Sequence, residues 1–341
     1  MIKDFYSIYL IRSTLQPPGY VNITFIIRID DALALVILAA AHKVNKIEIL
    51  AITCVNGNTN VVNVVHNVFR TLKACDIENI PVYKGAHSPL LTPANGKSDD
   101  AGHVHGSDGF GDVFEDKPDI SNLQKEHAVH ALYKTVCENP GEVSIICLGP
   151  LTNIALAIKL YPDFINNVKD FYVMGGNHTA VGNITAQAEF NFYVDPESVH
   201  IFFANNVKPL VLLPWEACLE SQISSEWRAS VFGKIQSPQV ELLDAIEHTI
   251  YEVDKNSTVI YRPCDAILAG IIVRPDMALK VVKCHVDIEL NGSRTRGQVV
   301  IDHLACRDPN TDLVTKFDWE IFKELLLFAA DPIHYKGEIL C

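Results

Sequence analysis

The sequence predicts an α/β fold: a single domain on a mostly parallel central sheet flanked by helices. Short apolar runs alternate with segments whose apolar residues recur at helical spacing. Alternation of that kind builds parallel sheets covered on both faces. The chain has 341 residues, 48% of them hydrophobic, which is enough for one large core. No repeat, low-complexity tract or Gly/Ser linker divides it. Residues 21–341 are therefore expected to form one domain. Residues 1–20 lack a signal-peptide core and cleavage site and are expected to be a poorly ordered extension.

The elements follow in order. TFIIRI (24–29) is an apolar, β-branched strand that runs into the helix DDALALVILAAAH (30–42). KIEILAITCV is the next strand, and NVVNVVHNVFRTLKAC is a helix with apolar positions at helical spacing. IPVYKG is a short strand, followed by the Gly- and His-rich loop HVHGSDGFGDVF and a helix from about Lys125 to Asn139. EVSIICLG is a buried strand leading to the helix LTNIALAIKLYP. VKDFYVMGG is a strand ending in glycines, DPESVHIFFAN a helix and VKPLVLLP a strand. In the C-terminal third, CDAILAGIIVRP is helical, KVVKCHVDIELNG and RGQVVIDHL are expected to pair as a hairpin, and DWEIFKELLLFAAD closes with a helix.

Composition excludes several roles. The net charge is -13 and no basic run exceeds two residues, so a partner that is a nucleic-acid polymer is not expected. No apolar run reaches the roughly 18 residues of a membrane span. The nine cysteines show no CxxC pair and no metal-ligand spacing, which points to reduced thiols in a cytoplasmic protein.

Open α/β sheets take ligands at the carboxyl ends of their strands. Asp30 and Asp31 follow the first strand, Asn56 and Asn58 the second, and Thr152 a later one. Glu189 and Asn191 follow a Gly-rich turn, and Cys264–Asp265 opens a late helix. Each has an ordinary explanation: the aspartates could simply cap their helices. Carboxylates, amides and a hydroxyl at successive strand ends suit a hard cation such as Ca²⁺ and sugar hydroxyls.

In DDALAL, VNGNT, HGSDGFG, GPLTNIALA, VMGGN, GNITAQAEFNFYVDPE, LPWE and CDAILA, the chain resembles the nucleoside hydrolases of the inosine-uridine preferring type. The resemblance implies a Rossmann-like single domain assembled as a homo-oligomer, a dimer or tetramer. It implies Ca²⁺-dependent hydrolysis of the N-glycosidic bond of ribonucleosides, giving ribose and free base. Carried over by position, Asp31 and Asp265 would be Ca²⁺ ligands, with Thr152 contributing its main-chain carbonyl. Asp30 would contact ribose; Asn183, Glu189 and Asn191 would grip its hydroxyls. Asn58 and Met174 would line the sugar pocket, Phe190 would pack under it, and His105 would lie in a mobile loop over the base. Asp30, Asp31, Asp265, Cys264 and His105 form the implied catalytic set.

Two departures qualify the resemblance. The family places D-x-D-x-G-x-D-D between strand and helix; here Ile27-Arg28-Ile29-Asp30-Asp31 keeps only the final pair. One missing aspartate is the family's metal-bound general base. If the strand runs on, only Arg28 and Ile29 remain for a connection that usually takes about 2–6 residues, so the strand must shorten or shift. Arg28 would set a cation near the metal position. Loss of a carboxylate ligand weakens hard-cation binding, and loss of the base removes roughly 10²–10⁴ in rate. The chain is then either an impaired relative or carries a short deletion from a misassigned exon junction; the intact remainder of the site favours the deletion. The second departure is Cys264, where many members have a His that protonates the leaving base. A thiol is a weaker acid than imidazolium, so activation of the leaving group is expected from elsewhere, from His105 or Trp215. A nucleoside- or ribose-binding protein without turnover, or a structural subunit of a mixed oligomer, are the rival roles.

Overall fold

The computed structural model describes residues 19–25, 29–91, 105–252 and 260–337. The first half contains β1 (Gly19–Phe25), α1 (Ile29–Lys43), β2 (Ile47–Cys54), α2 (Val61–Ala74), β3 (Val82–Lys84), β4 (Leu123–Gln124), α3 (Ala128–Glu138), β5 (Val143–Cys147) and α4 (Thr152–Leu160). Next come α5 (Phe164–Asn167), β6 (Phe171–Met174), α6 (Phe190–Val194), α7 (Pro196–Asn205), β7 (Leu210–Leu213), α8 (Trp215–Cys218), α9 (Ser225–Ser230) and α10 (Pro238–Glu252). The chain closes with α11 (Cys264–Val273), β8 (Ala278–Cys284), β9 (Val286–Ile288), β10 (Val299–Ile301), β11 (Thr311–Phe317) and α12 (Trp319–Ala330).

The main sheet has the order β4-β3-β2-β1-β5-β6-β7-β11-β8. Every neighbouring pair is parallel except β11–β8. From β1 the chain steps outward to β2, whereas from β5 it steps the other way to β6. The carboxyl ends of β1 and β5 therefore flank the switch point, the place where such a sheet opens a crevice. One core lies between the sheet and α1, α2, α10, α11 and α12; the other lies under α3, α4 and α7. α1 is buried from Ala32 to Ala41 without a break, because α11 and α12 cover the side the sheet does not. That enclosure explains its continuous apolar sequence in place of a stripe.

Several boundaries differ from expectation. The first strand occupies Gly19–Phe25, so Gly19 and Tyr20 belong to the sheet and not to the extension. Residues 1–18, and Ile26 to Arg28 of the junction, lie outside the described residues. Ile29 is buried as the first residue of α1, so three residues, 26–28, connect strand to helix, an ordinary length. Val21 and Ile23 enter the α1-side core, while Thr24 on the other face bonds Thr53 Oγ1 at 2.8 Å. The expected long hairpin divides at His285. Only β9 and β10 pair with each other, and Ala278–Cys284 instead joins β11 antiparallel at the edge of the main sheet. β11 and α10 were not anticipated.

Candidate active site

Asp30 and Asp31 stand in the first turn of α1, and Asp265 in the first turn of α11. α1 packs on α11, so two helix N-termini converge. One carboxylate oxygen from each of Asp30, Asp31 and Asp265 lies within 4.8 Å of the others. Asp31 and Asp265 are fully buried. A helix N-terminus favours an acid in its first turn, but capping does not require acids of two distant helices to meet. Three carboxylates this close repel one another, and burial adds to the cost of their charge. A cation among them removes both penalties, so the donor set fits a hard divalent ion. Cys264 adjoins the cluster. The neighbouring Cys218 thiol, burial, and the charges of Asp30 and Asp265 all push the Cys264 thiol well above its ordinary range. Enclosed beside Cys218, it is placed as a packing thiol next to Asp265.

A second group forms at the end of β6. Asn191 is fully buried; its Nδ2 donates to Met174 O at 3.2 Å, and its Oδ1 has no hydrogen-bond partner among the described residues. An acceptor left bare in the interior calls for a donor from a ligand. Glu189 caps the short helix α6. Its Oε1 accepts from Asn191 N (2.8 Å), and its Oε2 from Gly176 N (2.7 Å) and Phe192 N (3.2 Å). Gly176 sits at φ +67°, and a Cβ there would lie 2.6 Å from Val299, so only glycine brings this N–H to Glu189. Glu189 and Asn191 are thus the cap and first turn of α6. Asn183, exposed, accepts from Phe190 N through Oδ1 at 2.8 Å, which leaves its amide N–H₂ for another acceptor. Phe190 packs with Val55 and Ala86, beside the ends of β2 and β3. Asn58, just past β2, has no partner for either amide atom among the described residues.

Thr152 begins α4 at the end of β5. Its hydroxyl donates to Asp195 Oδ2 at 2.5 Å, and Leu90 N donates to the same oxygen at 3.0 Å. Asp195 is fully buried and also caps α7 through Ser198 N (3.1 Å); burial pushes its carboxyl up. Beside it, the Asn153 amide bridges Cys54 O (3.0 Å) and Ala86 N (2.9 Å). Asp195 and Asn153 were not singled out in the sequence, although a D-P at a helix start is a recognisable cap. His105 begins the described part of its loop, which is hydrogen-bonded within itself from Ser107 to Asp112; residues 92–104 lie outside the described residues. Asp112 accepts from Ser107 N, Ser107 Oγ and Asp108 N, and fully buried Phe110 anchors the turn.

Glu216 was also missed. This buried residue of the LPWE segment accepts from His178 N (2.9 Å), Thr179 N (2.8 Å), Thr179 Oγ1 (2.9 Å) and Val181 N (3.1 Å), with His178 Nδ1 at 3.3 Å. Burial alone would raise its carboxyl; the bonds from His178 and Thr179 outweigh that and hold it down at about 2. Glu216 thereby fixes the loop that leads from Gly176 to Asn183.

Residues 27–324 match the sequence profile of the inosine-uridine preferring nucleoside hydrolases. The chain belongs to the nucleoside hydrolase family. A Leishmania major inosine-uridine preferring nucleoside hydrolase is 30% identical over 311 residues, 89% of this chain and 95% of the relative. The pyrimidine-specific ribonucleoside hydrolase RihB of Escherichia coli O9:H4 (strain HS) is 30% identical over 298 residues, covering 86% and 91%. Among solved structures, an inosine-guanosine nucleoside hydrolase superposes with a TM-score of 0.83 at 27% identity over 92% of this chain and 98% of that one. The plant nucleoside hydrolase PpNRh1 gives 0.81 at 25% identity, over 92% and 99%. These likenesses show a single α/β nucleoside hydrolase domain and a glycosidase. Counted back from Asp30–Asp31, the eight positions of D-x-D-x-G-x-D-D fall on Thr24 to Asp31 without a gap. Thr24 and Ile26 then stand where that motif has its first two aspartates and Arg28 where it has its glycine, while the profile match itself begins at residue 27.

Proposed function

We propose that this chain hydrolyses the N-glycosidic bond of purine or pyrimidine ribonucleosides, with Ca²⁺ held by Asp31, Asp265 and the Thr152 main-chain carbonyl. The observation that carries this is the convergence of Asp30, Asp31 and Asp265 at the sheet's switch point. When bound, the cation would orient and acidify the attacking water. Asp30 faces a ribose hydroxyl. Asn191 Oδ1 accepts from a second, and the Asn183 amide donates to the sugar. Glu189, held as the cap of α6 by Asn191 N, Gly176 N and Phe192 N, grips a further ribose hydroxyl. These contacts hold the sugar while positive charge develops at its anomeric carbon, and the nearby carboxylates stabilise that charge. Cys264 is a weaker acid than imidazolium, which leaves activation of the departing base to His105, as proton donor, or to Trp215, as a stacking or N–H hydrogen-bond partner.

A binding protein without turnover is the second reading. It is favoured by the absence, before Asp30, of the two aspartates that the resemblance places there, one of them the metal-bound general base; Thr24, at the first of those positions, has its hydroxyl engaged by Thr53. Assembly as a dimer or tetramer in the cytoplasm accompanies either reading; all eight cysteines among the described residues are free. No described helix is long and apolar enough to cross a membrane. The test is release of base from inosine and uridine by the purified protein, with calcium and with a chelator. Calcium-dependent release supports hydrolysis. Saturable nucleoside binding without release supports the second reading, and neither response overturns both.

A further inference from the structure

Asp265 reaches the carboxylate cluster from a helix that does not fix its own start. Pro263 stands at the N-cap of α11 and makes no side-chain cap. Tyr261, four residues ahead of Asp265, is tethered three ways. Its N donates to Ile223 O at 2.7 Å, its carbonyl accepts from Ser221 Oγ at 2.7 Å, and its phenol donates to Glu247 Oε1 at 2.8 Å. Glu247 is held in turn. Arg228 reaches its Oε2 through Nε (2.7 Å) and Nη2 (2.6 Å), and reaches Asp244 through Nη1 (2.7 Å). The guanidinium lies 4.7 Å from the Phe232 ring centroid and 6.0 Å from that of Tyr261. Arg228, Glu247 and Tyr261 are each 3% exposed.

A buried ion pair of this kind is poor evidence for net stability, because desolvation offsets most of the attraction. What it does supply is one fixed place for an acceptor oxygen, and the phenol of Tyr261 uses it. Tyr261 is joined to Asp265 by the short segment 262–264, so a shift of its main chain carries into the start of α11.

We propose that Tyr261 is the positioning residue for Asp265: the Arg228–Glu247 pair fixes its phenol, and its doubly bonded main chain carries that position into the first turn of α11. This rests on the reading that the carboxylate cluster holds a cation. Groups that orient metal ligands typically alter metal affinity by about 10–100-fold when removed.

The test uses the full chain and two variants, Tyr261→Phe and Ser221→Ala, which cut different tethers of the same residue. Calcium is titrated while melting temperature is followed, and terbium luminescence gives a second reading of occupancy that does not depend on turnover. Expected is a roughly tenfold weaker midpoint in Tyr261→Phe, and a shift in the same direction in Ser221→Ala, with metal-free melting within a few degrees of the parent. If Tyr261→Phe does not fold, Ser221→Ala decides the matter alone. Unchanged midpoints in folded variants overturn the proposal while leaving the metal reading intact. A parent chain with no saturable response to either ion overturns the metal reading, and the proposal with it.

Discussion

Glu216→Gln isolates the charge that ties the loop after β6. The parent carboxyl lies at about 2 in the fold against an ordinary 4.5. At about 1.4 kcal/mol per unit, its ionised form contributes roughly 3 kcal/mol at neutral pH. The folded value is depressed, so this contribution is fully present above about 4.5 and fades as pH falls towards 2. Glutamine keeps the shape but turns one acceptor into a donor against N–H groups at 2.8–3.1 Å. Thermal and denaturant unfolding of both proteins from pH 3 to 8 is the assay. The variant should be less stable by roughly 2–3 kcal/mol at pH 7, with a gap that is level above pH 5 and narrows below 4.5. A gap that stays constant down to pH 3 would refute the reasoning, since the loss would then owe nothing to the charge.

Two further substitutions address β1. Asn22 is fully buried and neither amide atom has a partner among the described residues; Asn22→Val should stabilise the chain by about 1–2 kcal/mol and raise its melting temperature by a few degrees, whereas a lower melting temperature would show that the amide has a use. Thr24→Asp should lower metal-free melting, because it buries a carboxylate beside Thr53, and calcium should restore it. Base release should rise by roughly 10²-fold once Ile26→Asp is added, since one of the two positions carries the missing base; no rise in either quantity would place both positions outside the metal site.

The alternation of apolar runs made most of the sheet and its covering helices legible, because each run is bounded by polar or glycine residues that end it. The junction was harder. TFIIRI is rich in β-branched and aromatic residues, so local preference extends the strand to Ile29, yet Ile29 is buried in the first turn of α1. Helix burial against α11 and α12 decided that boundary, and no local pattern encodes it. β11 was missed because its strand identity depends on pairing with β7 and β8 from distant segments. α10 could have been found: Val240, Leu243, Ile246 and Glu247 fall on one buried side at helical spacing. In the site, the candidate acids and amides were readable as residue types at strand ends. That Asp265 meets Asp30 and Asp31, that Glu189 is a cap, and that Asp195 anchors Thr152 depend on contacts across the fold.

The most direct test of a metal-dependent ribonucleosidase built on this cluster is one rate comparison: base release from inosine by the parent chain and by Asp265→Asn, at saturating calcium. Release by the parent that falls at least about 10²-fold in the variant, with melting otherwise preserved, is the predicted result. Equal rates in the two proteins would contradict it, because the three converging carboxylates would then have no part in the chemistry.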